Sequence, residues 1–139
     1  MKIQSLFIFI TIIILQAYYP VNKTTQPELE IIVMDENGQS IKDAKVTLQT
    51  EVSPAKVDLK ENVKFTNAKG IVNFEHQSEM RVENVLIHGV QYYDWFVCVS
   101  KTGYQTHDLI KVEEKDQFKQ LKIVLKKGQN SDRDYPYFC

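Results

Sequence analysis

The residues able to do acid–base, nucleophilic or metal chemistry are few, and their spacing does not bring them together. The three histidines, His76, His88 and His107, show neither the i, i+4 nor the short-loop separation with which imidazoles converge on a metal. The chain holds no CxxC pair, no glycine-rich phosphate loop and no G-x-S-x-G elbow. Histidines without a special role are the plainer reading. The sequence therefore predicts no metal, no cofactor and no catalysis.

Tyrosines offer a different chemistry. A tyrosine ring packs while its hydroxyl bonds, which is why the residue is enriched at interfaces. His88, Tyr92 and Tyr93 are the candidate partner-contacting residues, with Tyr135 and Tyr137 near the C-terminus as further ones. Tyr92 and Tyr93 are consecutive, so an extended chain sends them to opposite faces and they could not easily serve together as ligands of one metal. Loops carry binding more often than strands, which makes 77–91 the preferred contact region. The competing reading is that these rings only cover the fold and its tail.

The elements that would position these residues begin after an apolar leader. Lys2 precedes a run from Leu6 to Leu15 broken only by Thr11, and Leu15-Gln16-Ala17 offers a small residue for cleavage. That is the layout of a secretory signal peptide over 1–17, and the run is short for a membrane span of about 20 residues. Tyr18 stands where a lipoprotein signal needs cysteine. The sequence thus predicts a periplasmic or secreted protein with no stable membrane span after cleavage. Formal net charge is −1, and the lysines alternate with apolar residues, so nucleic acid is not an expected partner.

Export bears on the cysteines, of which there are two, Cys98 and Cys139. An oxidising compartment favours their pairing. If Trp95, Val97 and Val99 face a core, alternation places Phe96 and Cys98 on the opposite face. The tail carries Tyr135, Tyr137 and Phe138 just before Cys139 and could cover that face, fastened by a Cys98–Cys139 disulfide. A buried free Cys98 with a loose tail is the alternative.

Between leader and tail the chain reads as strands. Residues 18–27 read as a linker, since Val21 to Pro27 is polar and holds no apolar periodicity. The folded unit is expected over 28–127 and the tail over 128–139. Strands are predicted over 28–35, 44–50, 63–66, 71–75, 92–101, 105–112 and 119–126, with 51–62 a loop or weak edge. Asn37-Gly38 signals a tight turn, and Asn67-Ala68-Lys69-Gly70 is expected to close a hairpin. The 77–91 segment reads either as strand, through Met80, Val82, Val85 and Ile87, or as a turn or two of helix. The 92–101 strand should be central. Seven or eight short, mainly antiparallel strands favour an all-β sandwich.

Asp35-Glu-Asn-Gly-Gln-Ser-Ile-Lys-Asp-Ala-Lys-Val46, then Thr66-Asn-Ala-Lys-Gly70 before Ile71-Val-Asn-Phe74, then Val97-Cys-Val-Ser-Lys-Thr-Gly-Tyr104, come in an order that resembles the carboxypeptidase regulatory-like domain. The resemblance spans roughly 28–127 and implies a transthyretin-like, immunoglobulin-like β-sandwich. The 77–91 connection is longer than that family's usual one. Related enzymes fit less well. Hydroxyisourate hydrolases share the transthyretin fold but end Tyr-Arg-Gly-Ser, whereas this chain ends Tyr137-Phe138-Cys139. Intradiol dioxygenases, with a related core, need two tyrosines and two histidines on iron. Pilin-type isopeptide domains need a Lys on the first strand and an Asn on the last, and both are missing. The resemblance implies a folding aid or binding module, so the expected function is an exported, non-enzymatic protein-binding module of the cell envelope. An inhibitor or an immunity factor for a secreted toxin is one form of it. The alternative is a carbohydrate-binding or cell-surface adhesion domain.

Overall fold

Alternation of apolar side chains decides the architecture. In Leu29–Asp35 the residues Leu29, Ile31 and Val33 are buried, and in Lys45–Ser53 the residues Val46 and Leu48 are. Each such strand has one face to hide, and two sheets stacked face to face hide both. The computed structural model describes residues 18–53, 60–84, 91–113, 120–128 and 139. Among them are nine strands and no helix: β1 Tyr18–Gln26, β2 Leu29–Asp35, β3 Lys45–Ser53, β4 Lys60–Phe65, β5 Ile71–Phe74, β6 Gln77–Asn84, β7 Tyr92–Ser100, β8 His107–Val112 and β9 Gln120–Leu125.

The protein is an all-β sandwich. One sheet has the order β5-β2-β9, with β2 antiparallel to β5 and parallel to β9. The other has the order β4-β3-β7-β8 and is antiparallel throughout. The core between them joins Ile31, Val33, Phe74, Ile123 and Leu125 to Val46, Leu48, Trp95, Val97 and Val99. Burying an aliphatic or aromatic side chain of this size contributes about 1.5–3 kcal/mol. β7 is central, as its apolar sequence predicts.

Two turns hold the layers in register. Asp35 accepts from the backbone N–H groups of Asn37 and Gln39 through one carboxylate oxygen, each at 2.9 Å. The Gln39 amide first, then those of Asn37 and the nearby Lys127 charge, hold its carboxyl below the ordinary range despite the desolvation that opposes them. The predicted Asn37-Gly38 turn forms, but only Gly38 takes positive φ, and β2 and β3 on either side of it lie in different sheets.

The Asn67–Gly70 turn also forms, with Asn67 Oδ1 accepting from the N–H groups of Lys69 and Ile71. It does not close a hairpin. β4 pairs with β3 and β5 pairs with β2, so the turn crosses between sheets. The apolar content of the two strands explains this. Val72 and Phe74 fill the core beside β2, while Val63 and Phe65 remain exposed.

The strand count exceeds the predicted seven or eight because 18–27 is not a linker. β1 pairs antiparallel with β6 over almost its whole length. This ribbon continues the β2/β5 ladder past the fully buried Pro27, with Gln26 opposite Gln77. A bulge between Thr24 and Gln26 then shifts the register by one residue, leaving Thr25 out of the ladder. Its inward positions are Tyr19, Val21 and Lys23, too polar to give an apolar period. β6 settles the ambiguity of residues 77–84 as strand.

Candidate functional site

The bulge at Thr25 fixes where the ribbon sits. The carbonyl oxygen of Thr25 accepts from Trp95 Nε1 at 3.2 Å and from Thr50 Oγ1 at 3.3 Å. Thr50 and Trp95 are direct cross-strand partners on β3 and β7, so one row of the large sheet grips the ribbon. Gln26 completes the joint, donating to the Glu75 carbonyl and accepting from Asn62 Nδ2.

Beyond this joint the inner face of the ribbon is charged. Tyr93 Oη donates to Glu79 Oε1 at 2.7 Å, and Arg81 pairs with the same carboxylate while its guanidinium lies 5.8 Å from the Tyr93 ring centroid. Arg81 also donates to Gln91 Oε1. Lys23 pairs with Glu83 at 3.2 Å and donates to the Gln91 carbonyl, and Tyr19 Oη reaches the other Glu83 oxygen at 3.4 Å. Glu83 is buried, and Lys23 is the cation paired with it. Burial, then the bond to Glu79, pushes the Tyr93 phenol up to about 12, so it is a neutral donor at ordinary pH.

The outer face is the reverse. Met80 and Val82 are 78% and 69% exposed, and their partners across the ladder are Asn22 and Pro20. Tyr18 stands on the same face and is half exposed. β6 is therefore an amphipathic strand with its polarity turned inside out. Glu79, Arg81 and Glu83 point in, and the apolar residues point to solvent. Sequence reading missed Met80 and Val82 as surface residues, because an apolar alternation is ordinarily taken as the core side. The charged residues between them were the available signal.

The predicted contact residues part company here. Tyr92 is 63% exposed, with the Lys23 ammonium 5.9 Å from its ring centroid, whereas Tyr93 is half-buried in the ionic network. They take opposite faces of β7, as their adjacency requires. His88 lies outside the described residues, as do Tyr135, Tyr137 and Phe138 of the tail and the 1–17 leader. Cys98 and Cys139 form a disulfide with Cα atoms 5.5 Å apart, which fits an oxidising compartment. Cys98, Thr47 and Gln49, on the face away from the core, are all buried.

No family model matches the chain, and no curated protein matches it. Among solved structures it is similar to 3-chlorocatechol 1,2-dioxygenase from Rhodococcus opacus 1CP, at 10% identity and a TM-score of 0.44. The match covers 76% of this chain and 62% of that one, so the chain spans about three fifths of the dioxygenase's length.

Among the described residues no group of three or more His, Cys, Asp or Glu side chains could hold a metal. His76 is exposed at the β5–β6 joint and His107 starts β8. The ribbon presents an open apolar face, backed by the Glu79–Arg81 and Lys23–Glu83 pairs, with the exposed Tyr92 of β7 beside Lys23.

Proposed function

We propose that this is an exported, non-enzymatic β-sandwich of the carboxypeptidase regulatory-like kind that binds another protein in the periplasm or outside the cell. The observation that carries the reading is the inverted ribbon. Met80 and Val82 stay in water although the same strand buries Glu83. A fold that gained nothing from these residues would be better served by polar ones, and exposed apolar groups on a sheet commonly mark an interface. Among the described residues the ribbon is also a two-stranded sheet, so its strands carry backbone groups that no third described strand pairs. Edge addition and apolar contact act together in strand-type recognition. Tyr92, exposed beside Lys23, is the third element.

The test is capture from envelope extracts with the wild-type protein and with Met80→Asp/Val82→Asp and Tyr92→Ala variants. These side chains are on the surface, so the variants should fold. A one-to-one complex that the double variant loses supports the reading. Equal capture by the wild type and the double variant, or no complex at all, overturns it. So does turnover of a substrate.

A further inference from the structure

At the opposite end of the sandwich from the ribbon is a groove of about 520 Å³. That volume falls within the range of small-molecule sites. Its floor is one cross-strand row on the outer face of the large sheet: Phe65 on β4, Lys45 on β3 and Ser100 on β7. Its wall is the Lys101–Tyr104 turn, closed by the Tyr104 N–H to the Lys101 carbonyl at 3.0 Å. That turn is tied to the end of β9, because Gly128 donates to Gly103 and Gln105 donates to Lys126. The opposite rim holds Asp43, whose neighbour Ala44 is fixed by the buried Thr66. Both sides are therefore built before any ligand arrives.

The lining has a particular chemistry. Phe65 is 62% exposed and offers a ring to solvent. Beside it the Lys45 ammonium has no hydrogen-bond or ion-pair partner among the described residues, whereas Lys101 is engaged with the Asp43 carbonyl at 3.0 Å. The Asp43 carboxylate on the rim lies 3.7 Å from Lys42. Ser100 and Thr102 add hydroxyls. A ring face, an unspent cation and short hydroxyl donors in one row match a ligand with a flat apolar side, a carboxylate and several hydroxyls. We infer that this groove binds an acidic saccharide, a glycan bearing uronic acid residues, with the sugar ring on Phe65 and its carboxylate on Lys45. The inference is independent of the ribbon and of its protein partner.

The test titrates ¹⁵N-labelled protein with hexagalacturonate, with the same oligosaccharide methyl-esterified, and with oligoglutamate, at low salt. Binding of hexagalacturonate should shift the amides of Lys45, Phe65 and Ser100 to Tyr104, and weaken as salt rises. Lys45→Gln and Phe65→Ala should each weaken it by about tenfold, since a charge-assisted bond and an aromatic contact are of that order. Met80→Asp/Val82→Asp should leave it unchanged, which separates this site from the ribbon. Equal binding of the esterified sugar, tighter binding of oligoglutamate, shifts confined to other residues, or no binding at all would each overturn the assignment. A floor variant that keeps the wild-type unfolding midpoint and full affinity would do the same.

Discussion

Trp95 donates its indole N–H to the carbonyl of Thr25, the one ribbon residue that the bulge leaves out of its ladder. A side chain of the central strand thereby takes the hydrogen bond that the β1/β6 pairing cannot use. Trp95→Phe keeps most of the buried ring and loses this bond, at a cost of about 1–2 kcal/mol. Amide exchange should speed up in β1 and β6 more than in β2 and β9. Uniform acceleration across all four strands would show that the bond does not govern how the ribbon is attached.

The disulfide closes a separation of 41 residues. By the chain-entropy model this is worth about 4 kcal/mol. Cys98→Ser with Cys139→Ser should lower the unfolding free energy by an amount of that order, and a reductant should do the same to the wild type. Mass spectrometry of the unreduced protein should find no free thiol.

Tyr93 supplies a pH signature. Its phenol is raised from 10.0 to about 12, by burial first and by donation to Glu79 second. The folded state thus holds this proton more tightly than the unfolded chain does. The stability it contributes is complete below pH 10 and is lost as pH rises towards 12. Absorbance titration should show a late-ionising tyrosine that disappears in Tyr93→Phe. The alkaline fall in stability should also be shallower in that variant.

Gly38 and Gly70 separate two effects of one substitution. Both have positive φ, 78° and 74°. Around Gly38 a methyl group meets open space, while at Gly70 it collides with the Val33 carbonyl oxygen. Gly38→Ala should cost about 1–2 kcal/mol from backbone conformation alone. Gly70→Ala should cost clearly more, because β2 must move to admit the methyl group. Equal losses in chemical denaturation would mean that β2 yields freely.

The sandwich was legible wherever burial follows hydropathy. Val46, Leu48, Val97, Val99, Ile123 and Leu125 alternate in sequence and all meet in the core. The Cys98–Cys139 pairing followed from the expected oxidising compartment, and the same alternation put Cys98 on the far face. β1 was not legible, because its inward residues Tyr19 and Lys23 are held by Glu83 rather than by apolar contact. Period-two burial exists there, but ionic partners lie too far along the chain for a local pattern to reveal them. Asn67–Gly70 announced a turn, but nothing in a turn says whether its two strands share a sheet. The Phe65–Lys45–Ser100 row was equally hidden, since its members come from three strands and meet only through register.

The parallel pairing of β2 with β9 has a consequence for how the molecule comes into being. The first strand of the core needs the last one beside it, so an emerging chain keeps one flank of Ile31 and Val33 unsatisfied until Gln120–Leu125 has been made. Closing so long a loop delays completion, and contacts this remote in sequence form slowly. A chain of this design thus completes its core late, once the last of its described strands stands beside β2.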